Sequence, residues 1–310
     1  MNVSELKEND NFSGVLFCKE KTVGQTKSGK EYYNVTLMDN SGLIAGKIWE
    51  VSSSGISNFE KGDFVFVVAK CDVYQEKTQL NITDISIAKE GTYTPEDFFP
   101  KADMDIQVMI NSLKKVIATV KNPYLMELLN SFFNEEGIKK FSTCSAAKTV
   151  HHAFVGGLLQ HSLNVATNCF YLGKVYKDMV DQDLLLTAGL LHDIGKITTM
   201  TDFPDNDYTD AGRFLGHIYL GSEMIREKSR EIKDFPNELL LKLQHCILSH
   251  HGTKEQGSPV LPTIPEAFII HYADELDSRM EIVKEEFKTM EEANGWSNYN
   301  HWLSTGLYKG

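Results

Sequence analysis

The sequence predicts a two-part α+β chain, a small five-stranded β-barrel followed by an all-helical domain, and three observations carry that expectation. Up to about residue 90 apolar residues alternate with period two, the pattern of half-buried strands. From about Asp105 they recur at three- and four-residue spacing, the pattern of amphipathic helices. Between the two, EGTYTPEDFFPKAD holds two prolines and no periodicity, which reads as a linker. The expected division is a barrel over 1–90, a linker over 91–104, a helical domain over 105–293 and an aromatic-rich, loop-like tail over 294–310.

Five strand candidates stand in the first part: FSGVLFCKEKTV, EYYNVTLMD, LIAGKIWE, DFVFVVAKCDVYQ and QLNITDISIAK. Each is rich in Val, Ile, Tyr or Phe and bounded by Gly, Asn, Asp or Ser. Alternation puts Tyr33, Val35 and Leu37 on one face of the second strand and Tyr32, Asn34 and Thr36 on the other. In the third strand Ile44 and Ile48 face inward while Lys47 and Trp49 share the outer face. The interposed VSSSGISNFEKG is expected as a short helix. Five strands with that insertion fit an OB-type barrel, a fold often used for single-stranded nucleic acid. On it Tyr32, Lys47, Trp49, Lys70 and Tyr74 form a candidate aromatic and basic strip for bases and phosphates. Packing against the rest of the chain is the alternative use for such aromatics.

Helical periodicity runs through IQVMINSLKKVIATV, GGLLQHSLNVATNCFYLGKVY, DLLLTAGLLHDIGK, NELLLKLQHCILSH and EAFIIHYADELDSRMEIVKEEFKTMEE. The whole chain of 310 residues is 42% hydrophobic and 24% charged, enough for a sizeable core. No apolar run approaches the roughly 20 residues that span a bilayer, and MNVSELKENDNFSG has no leader pattern, so a cytoplasmic location without membrane contact is expected. The five cysteines are scattered and never form C-x-x-C, which argues against a disulfide framework or a thiolate zinc site. A net charge of −12 argues against coating nucleic acid by charge alone. It does not exclude a nuclease, because bound divalent cations reverse the local sign where a phosphate must sit.

The chemistry concentrates in the helical part. His161, then His192 with Asp193, then His217, then His250 with His251, and finally Asp274 form an ordered series. Imidazole with carboxylate is the ligand set of transition-metal ions. Two ions of four ligands each need about eight contacts, which these side chains supply if one carboxylate bridges. Asp193, beside a histidine and in the middle of the series, is the natural bridge.

GGLLQHSLNVA, LLHDIGK, GRFLGHIYLG, LSHHGTKEQGSP and EAFIIHYADELDSRM resemble the successive motifs of the HD-domain phosphohydrolases. With KTVHHAF before them and SGLIAGKIW in the barrel, the chain resembles the YhaM-type 3′ to 5′ exoribonucleases over most of its length. The resemblance implies an N-terminal OB domain, an HD domain, and hydrolysis of single-stranded RNA, with ssDNA as a further substrate, to nucleoside 5′-monophosphates. It also implies two divalent transition-metal ions, Mn²⁺ first, with Fe²⁺, Co²⁺ or Zn²⁺ as alternatives. By position one ion takes His161, His192, Asp193 and Asp274, and the other shares Asp193 and takes His217, His250 and His251.

Lys196 lies one turn beyond His192 and Asp193, which aims its ammonium at the same mouth and at a phosphate oxygen, with a solvated surface lysine as the alternative. His151 and His152 are candidates for orienting substrate or protonating the leaving 3′-oxygen, with a structural role as the alternative. His271 is expected either as packing or as a support behind the ligands, and Glu255 either as an acceptor holding a ligand histidine or as a loop carboxylate. Two other functions remain open from sequence: an HD phosphodiesterase acting on a cyclic dinucleotide or other small nucleotide, and a nucleic-acid-binding regulator with a structural metal. The sequence leaves the oligomeric state, including a homo-oligomer, undecided.

Overall fold

Strand alternation builds the first unit. In the computed structural model, which describes residues 2–74, 77–99, 102, 104–148, 152–203, 205–290 and 294–310, the chain divides into units Met1–Lys101 and Ala102–Gly310. The first holds β1 (Asn11–Gln25), β2 (Glu31–Asp39), β3 (Gly42–Ile48), β4 (Phe64–Tyr74) and β5 (Lys77–Ile87). Their order around a closed barrel is β1-β2-β3-β5-β4. The 15-residue β1 serves two neighbours, β4 through Asn11–Phe17 and β2 through Phe17–Gln25, and a bulge between Cys18 and Glu20 bends it between them. β3 and β5 pair parallel and the other pairs are antiparallel. Val35, Leu37, Ile44, Ile48, Val65, Val67 and Leu80 fill the interior, as the alternation predicts. At Gly46 a Cβ would come within 2.8 Å of Ile82 and 2.9 Å of Val35, so a side chain there would displace the core.

The short helix expected over 51–62 does not form. Ile56 instead makes a parallel bridge to Ile85, with Ser57 N–H donating to Ile85 O and Ile85 N–H to Gly55 O, each at 2.9 Å. Three serines and a glycine favour local turns over helix, and pairing with β5 satisfies the backbone that a helix would have satisfied. Within the stretch read as a linker, Phe98 and Phe99 set their rings 5.2 and 6.4 Å from that of Phe64, and Tyr93 lies 4.5 Å from it.

The second unit comprises α1 (Ile106–Ile117), α2 (Pro123–Phe132), α3 (Glu135–Thr143), α4 (Gly157–Val175), α5 (Gln182–Leu191), α6 (Lys196–Thr199), α7 (Asp210–Glu231), α8 (Asn237–Ser249) and α9 (Pro265–Thr289). Side-chain caps start several of them: Asp105, Asn122, Asn134, Asp181 and Thr209 accept from the N–H groups of the first turn. α5 is the centre, since every residue from Leu184 to Leu191 is buried. A helix apolar all round has to lie inside its domain. α4, α8 and α9 pack around it with Leu158, Val165, Cys169, Leu243, Ile247, Ile270 and Ala273. The tail is not wholly loop: β6 (Gly295–Trp296) pairs with β7 (Tyr308–Lys309). Among the described residues no helix is long and apolar enough to cross a membrane. The chain is therefore an α+β protein, an OB-type barrel followed by an all-helical domain.

Candidate metal centre

Helix ends and one kink present the polar side chains to a common point. His192 and Asp193 follow directly on the last residue of α5, and His250 and His251 follow α8. His161 points inward from the buried face of α4, and Asp274 comes from α9. α7 is kinked at Gly216 (φ 74°, ψ 158°), a conformation that favours glycine, and this turns the next residue, His217, toward the others.

Backbone carbonyls set the histidine tautomers. His192 Nδ1 meets Gly189 O at 2.8 Å, His250 Nδ1 meets Ile247 O at 2.7 Å, and His251 Nδ1 meets Gln256 O at 2.8 Å. A carbonyl only accepts, so each Nδ1 carries the proton and each Nε2 keeps a lone pair. The partner of His251 is thus the Gln256 backbone, and of the two readings of Glu255 the acceptor role is not the one seen at this histidine. His271 acts likewise on the backbone, donating from Nδ1 to His250 O at 2.9 Å. Gly252 makes room for it, since a Cβ there would meet the His271 ring at 2.3 Å.

Asp193, 2% exposed, turns one oxygen to each of two groups. Its Oδ2 lies 3.4 Å from His161 Nε2 and from His192 Nε2, and 2.7 Å from Lys196 Nζ. Its Oδ1 lies 3.3 Å from His217 Nε2 and 3.7 Å from His250 Nε2. Asp274 Oδ1 joins the first group, 3.2 Å from His161 Nε2. The donor atoms of His217, His250 and His251 lie within 4.8 Å of one another, and so do those of His161, His192 and Asp193. Asp193 Oδ1, His217 Nε2 and His250 Nε2 are all buried without a hydrogen-bond partner among the described residues. Three unsatisfied polar atoms converging in a buried place, two of them acceptors, are costly unless something positive sits between them. The donor set therefore fits divalent cations.

Electrostatics point the same way. Burial opposes ionisation of Asp193, but Lys196, His192 and His161 outweigh it and hold the carboxyl well below its usual range. Asp274 is held low against burial by His161 and His192. Burial pushes His217 down to about 3, and burial together with His251 and His192 pushes His250 well down, so both stay in the neutral form that can bind a metal. His161 differs: burial opposes its charge, yet hydrogen bonds with Asp193, Asp274 and Asp277 raise its pKa well above the usual value.

Asp277 is the residue sequence reasoning missed. Its Oδ2 accepts from His161 Nδ1 at 2.7 Å and lies 2.8 Å from His152 Nε2. Burial would raise its pKa, but His152 and His161 hold it well below the usual range. The signal was present, because Asp277 lies three residues after Asp274 on a stripe of α9 that buries Ile270, Ala273, Asp277 and Glu281. A buried carboxylate in an apolar stripe requires a partner. His152, only 1% exposed, lies 2.8 Å from Asp277 Oδ2, a place that suits the structural alternative of holding that carboxylate. His151 lies outside the described residues. Asp277→Ala is expected to weaken metal binding about 10- to 100-fold, the usual cost of losing the group that orients a metal-binding imidazole. Asp277→Asn, which still accepts, should lose less; competition with a chelator reads both, and wild-type affinity in the alanine variant would refute the role.

A cavity of about 420 Å³ opens over this cluster, lined by His161, Asp193, Lys196, His251, Asp274 and Arg279 among others. On the barrel, the strip expected from sequence assembles. Lys47 Nζ lies 5.5, 4.9 and 5.8 Å from the ring centres of Tyr32, Trp49 and Tyr74. The rings of Tyr32 and Trp49 are 4.9 Å apart. Lys70 and Lys47 both register with Asn81, one from each side of β5, which puts them in one row.

Residues 158–279 match the family described as HD domain. The solved structures similar to this chain include the second OB-fold domain of replication protein A from Methanococcus maripaludis, at 19% identity, covering 30% of this chain and 98% of that one, with a TM-score of 0.24. A replication protein A heterotrimer bound to ssDNA is similar at 14% identity over 28% of this chain and 64% of its own, with a TM-score of 0.22. The barrel class stands on its closed strand order, β1-β2-β3-β5-β4. The match indicates a metal-dependent hydrolase or phosphodiesterase in general for the helical domain.

Proposed function

We propose that this chain is a 3′ to 5′ exonuclease that hydrolyses single-stranded RNA, and ssDNA as a second substrate, to nucleoside 5′-monophosphates. The observation that carries the reading is Asp193, whose two oxygens face two separate imidazole groups at the floor of one cavity. We assign one cation, Mn²⁺ first, to His161, His192, Asp193 and Asp274, and a second to Asp193, His217, His250 and His251. When bound, such a pair supplies Lewis-acid polarisation of the phosphoryl oxygens and an activated water. The chain's own residues do the positioning. Asp277 orients His161, the carbonyls of Gly189, Ile247 and Gln256 orient three further imidazoles, and Lys196 puts a positive charge on the cavity wall for a phosphate oxygen. The Tyr32, Lys47, Trp49, Lys70 and Tyr74 strip would hold the strand by stacking and charge, which is what favours a polymer over a cyclic dinucleotide.

The direct test is a time course with Mn²⁺ and a 5′-labelled single-stranded RNA, run beside a cyclic dinucleotide. A ladder shortening from the 3′ end is expected; an intact RNA beside a hydrolysed cyclic dinucleotide would overturn the polymer reading. Lys196→Met tests the phosphate contact. It should keep its metals, since it removes a cation 2.7 Å from Asp193, while losing roughly 2–4 kcal/mol of transition-state stabilisation. Unchanged kinetics would leave Lys196 as a partner of Asp193 and nothing more.

A further inference from the structure

The cavity over the metal cluster has a wall that the hydrolytic chemistry does not use. Trp302 and Ile282 line it together with His161, Asp193, Lys196 and Asp274. Trp302 is 67% exposed, although an indole has more apolar surface to hide than any other side chain. It is nevertheless held in place. Asn300 Oδ1 accepts from the backbone N–H of Trp302 and of Leu303 at 3.0 and 3.1 Å, and closes the turn that carries the ring. Asn300 Nδ2 donates to Glu286 Oε2 at 2.8 Å, and Lys309 Nζ donates to Phe287 O at 2.7 Å, which ties the β6–β7 hairpin to α9 at two points. The lining thus combines carboxylates, imidazoles and the Lys196 ammonium with a flat apolar ring and Ile282, and it also includes Arg279, which pairs with Glu275 at 2.6 Å. That combination suits a ligand with an anionic head and a flat aromatic body, and the cavity's volume of about 420 Å³ is in the usual range for small-ligand clefts.

We propose that Trp302 is the platform on which the terminal nucleobase of the substrate stacks while its phosphodiester lies at the metal cluster. The proposal deepens the exonuclease reading and rests on it for the identity of the strand end. Stacking is tolerant of sequence because every base offers a π face, so the platform would serve any terminal base. It also separates two jobs, with the barrel strip gripping the strand and Trp302 registering its end.

The test uses the full, metal-loaded chain and a trinucleotide RNA with non-cleavable phosphonate linkages and 2-aminopurine as its 3′-terminal base. Binding to the wild type should quench the 2-aminopurine emission. In Trp302→Ala most of that quenching should be lost and affinity should fall about 10-fold, the scale of one stacked base. Trp302→Phe should restore most of the affinity, because a phenyl ring still stacks. At saturating protein, where the affinity difference no longer counts, the same trinucleotide with 2-aminopurine at its 5′ end should be quenched alike by wild type and Trp302→Ala. Equal quenching of the 3′ probe by wild type and Trp302→Ala would overturn the platform, and so would a Phe variant as weak as Ala, which would make the indole a support for the hairpin. A parallel Mn²⁺ digestion of unlabelled RNA separates the two claims. If the wild type shortens RNA and Trp302→Ala matches it in every assay, the platform falls and the exonuclease stands. If RNA stays uncut while 3′ quenching depends on Trp302, the exonuclease falls and the platform holds for a base-bearing ligand.

Discussion

Asp193→Asn is expected to abolish phosphodiester hydrolysis and to strip the helical domain of most of its metal, while the barrel keeps its fold. Both effects follow from one carboxylate facing two imidazole groups, Oδ2 toward His161 and His192 and Oδ1 toward His217 and His250. An amide keeps the volume but has no charge, and its NH₂ would face either imidazole lone pairs or the Lys196 ammonium. The loss of turnover should exceed the roughly 10²–10³-fold that follows removal of a single charge-stabilising donor. Asp193→Ala is the poorer variant, because it leaves Lys196 beside a buried gap, and breaking a buried ion pair costs about 3–5 kcal/mol of stability. Elemental analysis and a phosphodiesterase assay on the same preparation decide the matter. Full metal occupancy with full turnover would show that Asp193 bridges nothing.

Removing the barrel should have an effect of comparable size on a different quantity. A chain beginning at Ala102 keeps the cluster of buried residues from Met109 to Ala273, which contains no barrel residue, so the helical domain has its own core to fold around. It should still cleave a small activated phosphodiester. Affinity for long single-stranded RNA should fall by at least about 10²-fold, since each stacked base contributes roughly 1–3 kcal/mol and the strip offers more than one ring. The log-log salt dependence should also flatten by about 0.7 for each single-strand phosphate that the barrel neutralises. A folded, metal-loaded truncated protein that binds and degrades long RNA like the full chain at every salt concentration would refute the barrel as the substrate-holding module. Substituting Lys47 and Trp49 together in the full chain should reproduce part of the effect, which separates the strip from other contributions of the barrel.

Much of the fold was legible because it follows from local periodicity. Alternation placed Val35, Leu37, Ile44 and Ile48 inside the barrel and Tyr32, Lys47 and Trp49 outside it, and the burial of each strand agrees. The insertion at 51–62 was not legible, because the pairing of Ile56 with Ile85 joins residues far apart in sequence and no local signal announces it. The tail failed for the same reason, since its hairpin comes from a two-residue pairing and side-chain ties to α9.

The candidate site divides in the same manner. Residue type and order were sufficient to collect His161, His192, Asp193, His217, His250, His251 and Asp274, because imidazoles and acids on apolar helices must find partners. What the sequence by itself determined is therefore the coarse class of chemistry, the barrel followed by the helical domain, and a set of side chains that converge in the latter. The tertiary structure decided everything that depends on direction. It turned the two oxygens of Asp193 to opposite groups, pinned three histidine tautomers with backbone carbonyls, put Asp277 behind His161, and brought Trp302 to the wall of the cavity. Identity is a local property of the chain, whereas orientation is set by the packing of helices whose residues lie tens to more than a hundred positions apart.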